Sequence, residues 1–281
     1  MKELLDTMQK EQKKKTINNS PIGIFDSGFG GLTVMSAIHK ALPCENLIYF
    51  GDTAHVPYGS KSQNAVIKFS NEIASFLVKQ QVKLIVIACN TATAFALPVL
   101  QKKFNVPIIG VIKPGAKAAV LASKNKKIGV IGTEGTINSK SYIKEINKLA
   151  KIKVYQQACP LFVPIVEEGL TNCNFINEIV QKYVQPLLNK KVDTLVLGCT
   201  HYPLLKEIIK KNIKEDIILI DSAQIISQEV KNLLEENNLL ANKNNKPNLK
   251  FYVSDNPLKF KKIGSRFFCR KIINIKKFEL E

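Results

Sequence analysis

Short, unbroken apolar runs punctuate the chain at regular intervals: PIGIFD (21–26), NLIYFGD (46–52), KLIVIAC (83–89) and VPIIGVI (106–112), then KIGVIGT (127–133), IKVYQQ (152–157), DTLVLGC (193–199) and DIILIDS (216–222). Continuous rather than alternating apolar order predicts strands buried on both faces, as in a parallel sheet covered by helices. A later stretch, IISQEVKNLLEENNL (225–239), has helical spacing at Ile225, Val230, Leu233 and Leu234 and predicts a helix that returns to pack on another part of the molecule. Residues 241–250 read as a loop, LKFYVSD (249–255) as one more strand, and the polar, Lys-rich segment 1–20 as an extension outside the packed body.

The runs form two series. Gly23 and Gly129 match at an offset of 106 residues, and Cys89 and Cys199 at 110. Such self-similarity points to an α/β protein of two similar parallel-sheet halves rather than one eight-stranded barrel. The strongest internal match is IVIACNTAT against LVLGCTHYP: a buried strand ends in a small residue, then Cys, then amide or hydroxyl side chains opening a helix. Ligands of open α/β sheets bind at the carboxyl ends of the strands, so the two cysteines are expected at one shared cleft.

Composition changes this picture only slightly. The 281 residues are 45% hydrophobic and 23% charged, ordinary for a globular protein, but the net charge is +18. That excess raises a binder of nucleic acid or of an acidic partner as a reading of a different class. Of the 41 cations only Arg266 and Arg270 are arginine, whereas bidentate recognition of phosphate and guanine favours arginine, which weakens the nucleic acid reading. Residues 241–281 carry +8 of the charge, with Phe260, Phe267 and Phe268 among their cations. No apolar run approaches the ~18 residues of a membrane helix, the first 20 residues lack the apolar core of a signal peptide, and a cytoplasmic location is expected.

Six cysteines without a CxxC pair, and histidines only at 39, 55 and 201, offer no metal-ligand spacing. A helix N-terminus stabilises thiolate over thiol, so Cys89 and Cys199 at strand-to-helix junctions are candidates for a base or nucleophile. Asn90, Thr91, Thr200 and His201 add donors that can hold an anion. In IFDSGFGGLTV, Thr33 stands where a dinucleotide fingerprint needs its third glycine, so Asp26 and Ser27 at the strand end carry the interest. His55 reads as a loop histidine.

FDSGFGG, GDTAHVPYG, ACNTATA, GVIKPGA, IGTEGTI, ACPLFVPIVEEG and LGCTHYPLL, in that order over roughly residues 21–225, closely resemble glutamate racemase, of the aspartate/glutamate racemase family. The resemblance implies two α/β domains related by pseudo-two-fold symmetry with the active site between them. The division expected is an extension (1–20), a discontinuous first domain (21–112 plus 222–281) and a second (113–221). It further implies cofactor-independent interconversion of L- and D-glutamate, supplying D-glutamate for peptidoglycan. Cys89 and Cys199 would be the two acid/base residues, Cys89 deprotonating D-glutamate and Cys199 L-glutamate. Asp26 would assist Cys89, and Glu167 and His201 would assist Cys199. Asp26, Ser27, Tyr58, Gly59, Asn90, Thr91, Thr200 and His201 match positions that bind or orient glutamate. A racemase for aspartate or another acidic amino acid shares the mechanism and is the alternative. The family implies a homodimer and, through its members with N-terminal extensions, admits a cell-wall-precursor activator. Arg is common in the family where this chain has His55.

Overall fold

The computed structural model describes residues 18–173 and 175–280. The first 17 residues of the expected extension lie outside the described residues. Asn18 and Asn19 are pinned: their carbonyls accept Lys83 Nζ at 2.5 Å and Asn46 Nδ2 at 2.7 Å.

The apolar runs become two fully parallel sheets. One is built on β1 (Ile22–Asp26), β2 (Leu47–Gly51), β3 (Leu84–Ile87) and β4 (Ile108–Gly110). The other comprises β5 (Lys127–Gly132), β6 (Lys153–Ala158), β7 (Thr194–Gly198) and β8 (Ile218–Asp221). The strand orders β2-β1-β3-β4 and β6-β5-β7-β8 repeat one layout, which is the physical content of the internal sequence match. The first sheet continues past β2 through β9 (Leu249–Val253) and β10 (Ile275–Lys277), giving six strands. Every residue of β1, β2, β3 and β7 is buried, as the unbroken apolar runs require.

Helices cover both faces. α1 (Leu32–Ala41), α2 (Gln63–Lys79), α3 (Asn90–Lys103) and α4 (Ile112–Ala122) follow β1 to β4. α5 (Glu134–Asn138), α6 (Ser141–Leu149), α7 (Phe162–Glu167), α8 (Phe175–Leu188) and α9 (Lys206–Asn212) belong with the second sheet. Local chemistry sets several starts: Ser62 accepts the Ala65 N–H ahead of α2, and Thr133 accepts the Thr136 N–H ahead of α5. The helix expected near 225–239 is α10 (Ser222–Glu236); it leaves β8 and packs on α1 of the first half and on α4, which itself packs against β7, β8 and α6. The basic tail folds as α11 (Pro257–Phe268) before β10, with Asn256 capping through the Lys259 N–H. Its Phe260, Phe267 and Phe268 are buried, so these rings are core and not a stacking platform for bases. That corrects the motive for a nucleic-acid binder.

Candidate active site

The carboxyl ends of both sheets line one cavity. Ser27 follows β1, Tyr58 and Gly59 sit in the turn after β2, and Cys89, Asn90 and Thr91 open α3; Gly198, Cys199, Thr200 and His201 end β7 and form the opposite wall. Thr133, Val163, Val56 and Pro57 complete the lining. The space open to the centre of a water molecule is only about 20 Å³, room for one or two waters, so the walls must part to admit an amino acid.

Cys89 caps α3, with the Ala92 N–H 3.4 Å from its sulfur. The expectation that helix N-termini would favour thiolate fails in this closed site. Burial pushes the Cys89 thiol up to about 12; the charge of Asp26 adds to that, and the Ala92 and Thr91 N–H groups and the Ser27 hydroxyl pull only partly back. Burial likewise raises Cys199 well above the ordinary thiol value, opposed by the His201 N–H and reinforced by the charges of Cys89, Asp26 and Glu167. Desolvation outweighs the helix field because a buried thiolate loses its water, while one helix end returns two or three N–H groups. Cys199 lacks even a regular α-helix: after it comes a single 3₁₀ turn, Tyr202–Leu205, before α9.

Behind Cys199 lies a relay. His201 Nδ1 is 3.8 Å from the Cys199 sulfur, and His201 Nε2 is 3.0 Å from Glu167 Oε1. Glu167 thus fixes the ring through Nε2 and turns Nδ1 toward the thiol. Phe267 packs edge-on to this ring at 5.2 Å, so the tail helix buttresses the site.

Asp26 stands one layer behind the wall, fully buried. Its Oδ2 accepts the Gly28 N–H at 2.9 Å and its Oδ1 the Thr200 hydroxyl at 3.2 Å, a bond from the first sheet to the second. Burial raises its pKa, opposed by the His201 ring, the Gly28 and Gly31 N–H groups and the Thr200 hydroxyl. Tyr58 lines the cavity with its ring, while its hydroxyl donates to Asp52 at 2.6 Å. Thr91 Oγ1 lies 2.9 Å from Thr133 Oγ1 and 3.2 Å from Thr136 Oγ1, another cluster joining the two halves. Asn90 Oδ1 accepts the Tyr142 hydroxyl at 2.8 Å.

Sequence reasoning missed three supporting groups. Asp52, fully buried, accepts the hydroxyls of Tyr58 and Ser254, the latter at 2.6 Å, and faces His55 Nδ1 at 2.9 Å, fixing the turn that carries Tyr58 and Gly59. His55 is a loop residue as expected, stacked on Phe69. Thr133 had a motif, IGTEGTI, but no reason to single out its hydroxyl. Tyr142 had no signal beyond an apolar helix position.

The model of the Asp/Glu/Hydantoin racemase family matches residues 22–230. The chain belongs to that family. It is an isomerase, an amino-acid racemase, and its likeness within the family is to glutamate racemases. The glutamate racemase of Geobacter metallireducens is 48% identical over 261 residues, 92% of this chain and 97% of that protein. The crystal structure of the Francisella tularensis enzyme in complex with D-glutamate aligns with a TM-score of 0.88 at 41% identity, covering 94% of this chain and 99% of that one. The Escherichia coli enzyme in complex with L-glutamate and the activator UDP-MurNAc-ala aligns with a TM-score of 0.76 at 28% identity, covering 93% and 99%. Among the described residues of this racemase no helix is long and apolar enough to cross a membrane.

Proposed function

We propose that the chain interconverts L- and D-glutamate without a cofactor, using Cys89 and Cys199 as two bases, and so supplies D-glutamate for peptidoglycan in the cytoplasm. The observation that carries this reading is the pair of buried thiols on opposite walls of one cavity, each at the end of an equivalent strand. Inversion requires removing a proton from one face of Cα and returning one to the other; two groups on opposite sides do this without turning the substrate.

In the proposed step one cysteine is thiolate and accepts the Cα proton, becoming a thiol. The electron pair stays on the substrate as a carbanion delocalised into its carboxylate. The opposite thiol then donates its proton to the other face of Cα and becomes thiolate. Burial keeps both thiols protonated in this narrow site, so the substrate ammonium would supply the positive charge that stabilises one thiolate on binding. Proton transfer contributes ~10²–10⁴-fold, so the carboxylate also needs donors, here Asn90, Thr91 and Thr200, to hold its growing charge. Asp26 would set the charge near Cys89 and orient Thr200, while Glu167 and His201 would orient and accept the Cys199 proton. A homodimer, and a cell-wall-precursor activator of the kind bound by the Escherichia coli relative, accompany this reading.

The test is incubation of the protein with L-glutamate in D₂O without added cofactor. Loss of optical rotation with deuterium entering Cα is expected; turnover of aspartate alone would select the related racemase instead. Cys199→Ala is expected to abolish racemisation from both enantiomers, and near wild-type turnover in that variant would sink the two-base mechanism.

A further inference from the structure

One donor facing the cleft has nothing to bond. Asn90 is 2% exposed and lines the cavity, yet its Nδ2 finds no hydrogen-bond partner among the described residues. A buried NH₂ with two unused donors is costly, and in a cavity it marks the place of an acceptor that arrives with a ligand. The other end of the same amide is fully committed: Oδ1 accepts the Tyr142 hydroxyl at 2.8 Å. We infer that Tyr142 is a positioning residue for the substrate carboxylate, its hydroxyl clamping the Asn90 carbonyl so that the amide NH₂ points into the cleft.

The clamp also crosses the cleft. Asn90 begins α3, beside Cys89, in the half built on the first sheet; Tyr142 lies in α6 of the other half. An amide can rotate to present either end, and here the bond from the Tyr142 hydroxyl to Oδ1 leaves the NH₂ as the end that faces the cleft. Tyr142 is suited to that task. It is 1% exposed, and burial, aided by the charge of Cys199, holds its phenol well above the ordinary value, so it remains a donor. Two glycines make room for it. A Cβ at Gly115 would lie 3.3 Å from the Tyr142 oxygen, and one at Gly198 would lie 3.3 Å from its ring. The residue therefore touches both reacting regions indirectly: Cys89 through its neighbour Asn90, and Cys199 through the ring seated beside Gly198.

This inference rests on the racemase reading and refines it, and its experiment separates the two. Glutamate racemisation is followed for wild type, Tyr142→Phe, Asn90→Ala and the double variant, together with each folding temperature. Tyr142→Phe removes one oxygen and is expected to raise KM for glutamate about tenfold and, because the same amide holds the carboxylate's growing charge, to lower kcat as well. The double variant should be no worse than Asn90→Ala, because the hydroxyl acts through that amide. A merely structural hydroxyl would lower the folding temperature and leave KM alone. Unchanged KM in Tyr142→Phe, or losses that multiply in the double variant, would overturn the inference. If Tyr142→Phe does not fold, Gly115→Ala tests the same contact, since its methyl, 3.3 Å from the phenol oxygen, shifts that oxygen by a few tenths of an ångström within a helix that favours alanine; KM should again rise, by less, and an unchanged KM overturns the clamp. An inactive wild type would remove the racemase reading and this inference together.

Discussion

At the scale of residues the site is governed by desolvation. Cys89, 6% exposed, has its folded pKa pushed up to about 12, whereas an unfolded cysteine titrates near 8.5–9. A raised folded value gives stability that is complete below the unfolded value and is lost as pH climbs from there through the folded value, because the unfolded chain sheds a proton that the folded thiol keeps. Between pH 9 and 11 Cys89 should therefore cost up to about 1.4 kcal/mol of stability per pH unit. Cys89→Ser is expected to flatten this part of a urea-denaturation series; an identical alkaline slope in the variant would contradict the burial argument. The relay behind Cys199 makes a second prediction. Enantiomers have equal free energies, so kcat/KM must be the same in both directions for any variant. Glu167→Gln keeps an acceptor for His201 Nε2 but removes the charge. It should lower both kcat/KM values together by about tenfold, measured by circular dichroism from each enantiomer.

At the scale of elements, much of the fold was legible because parallel strands buried on both faces leave an unmistakable apolar signature. All eight runs became strands, and the repeated layout of the two sheets follows from the repeated motif. The two cysteine motifs were equally legible, since strand, small residue, Cys and polar pair occur together twice. What escaped notice depends on the second half reaching the first. Thr133 and Tyr142 gain their meaning from partners 42 and 52 residues away in the other half, while Asp52 gains its from Ser254, 202 residues on within its own half, and no local pattern encodes those encounters. The last strand, β10, is three residues long with two exposed lysines, too short and polar to announce itself. The thiol protonation escaped for the same reason: a junction is visible in sequence, but the opposite wall that buries it is not. The opposed turns yield their own prediction. Gly59, in the turn after β2, approaches Thr133 so closely that an added Cβ would stand 2.6 Å from the Thr133 Cβ. Gly59→Ala should obstruct closure of the cleft and lower kcat/KM by at least tenfold while leaving the folding temperature nearly unchanged, as the contact joins walls that part during turnover.

At the scale of the whole molecule the +18 charge and the tail that carries much of it separate into different roles. Burial of Phe260, Phe267 and Phe268 makes α11 part of the core over the site, with Phe260 against Phe29 and Tyr49, and Phe267 against His201. On the opposite face Lys259, Lys261 and Lys262 are exposed, and none of them forms an ion pair among the described residues. Apolar burial and surface charge should therefore respond oppositely to mutation. Phe260→Ala opens a cavity at a fully buried ring and should cost about 3–5 kcal/mol in urea denaturation. Replacing the three lysines with glutamine should change stability by less than about 0.5 kcal/mol. It should also leave the kinetics with glutamate unchanged, since a small substrate of two carboxylates and one ammonium is bound by local donors and distant charges are screened within ~8 Å at physiological salt. A fall in kcat/KM for the lysine variant that disappears at high salt would instead assign the tail a steering role toward its anionic substrate.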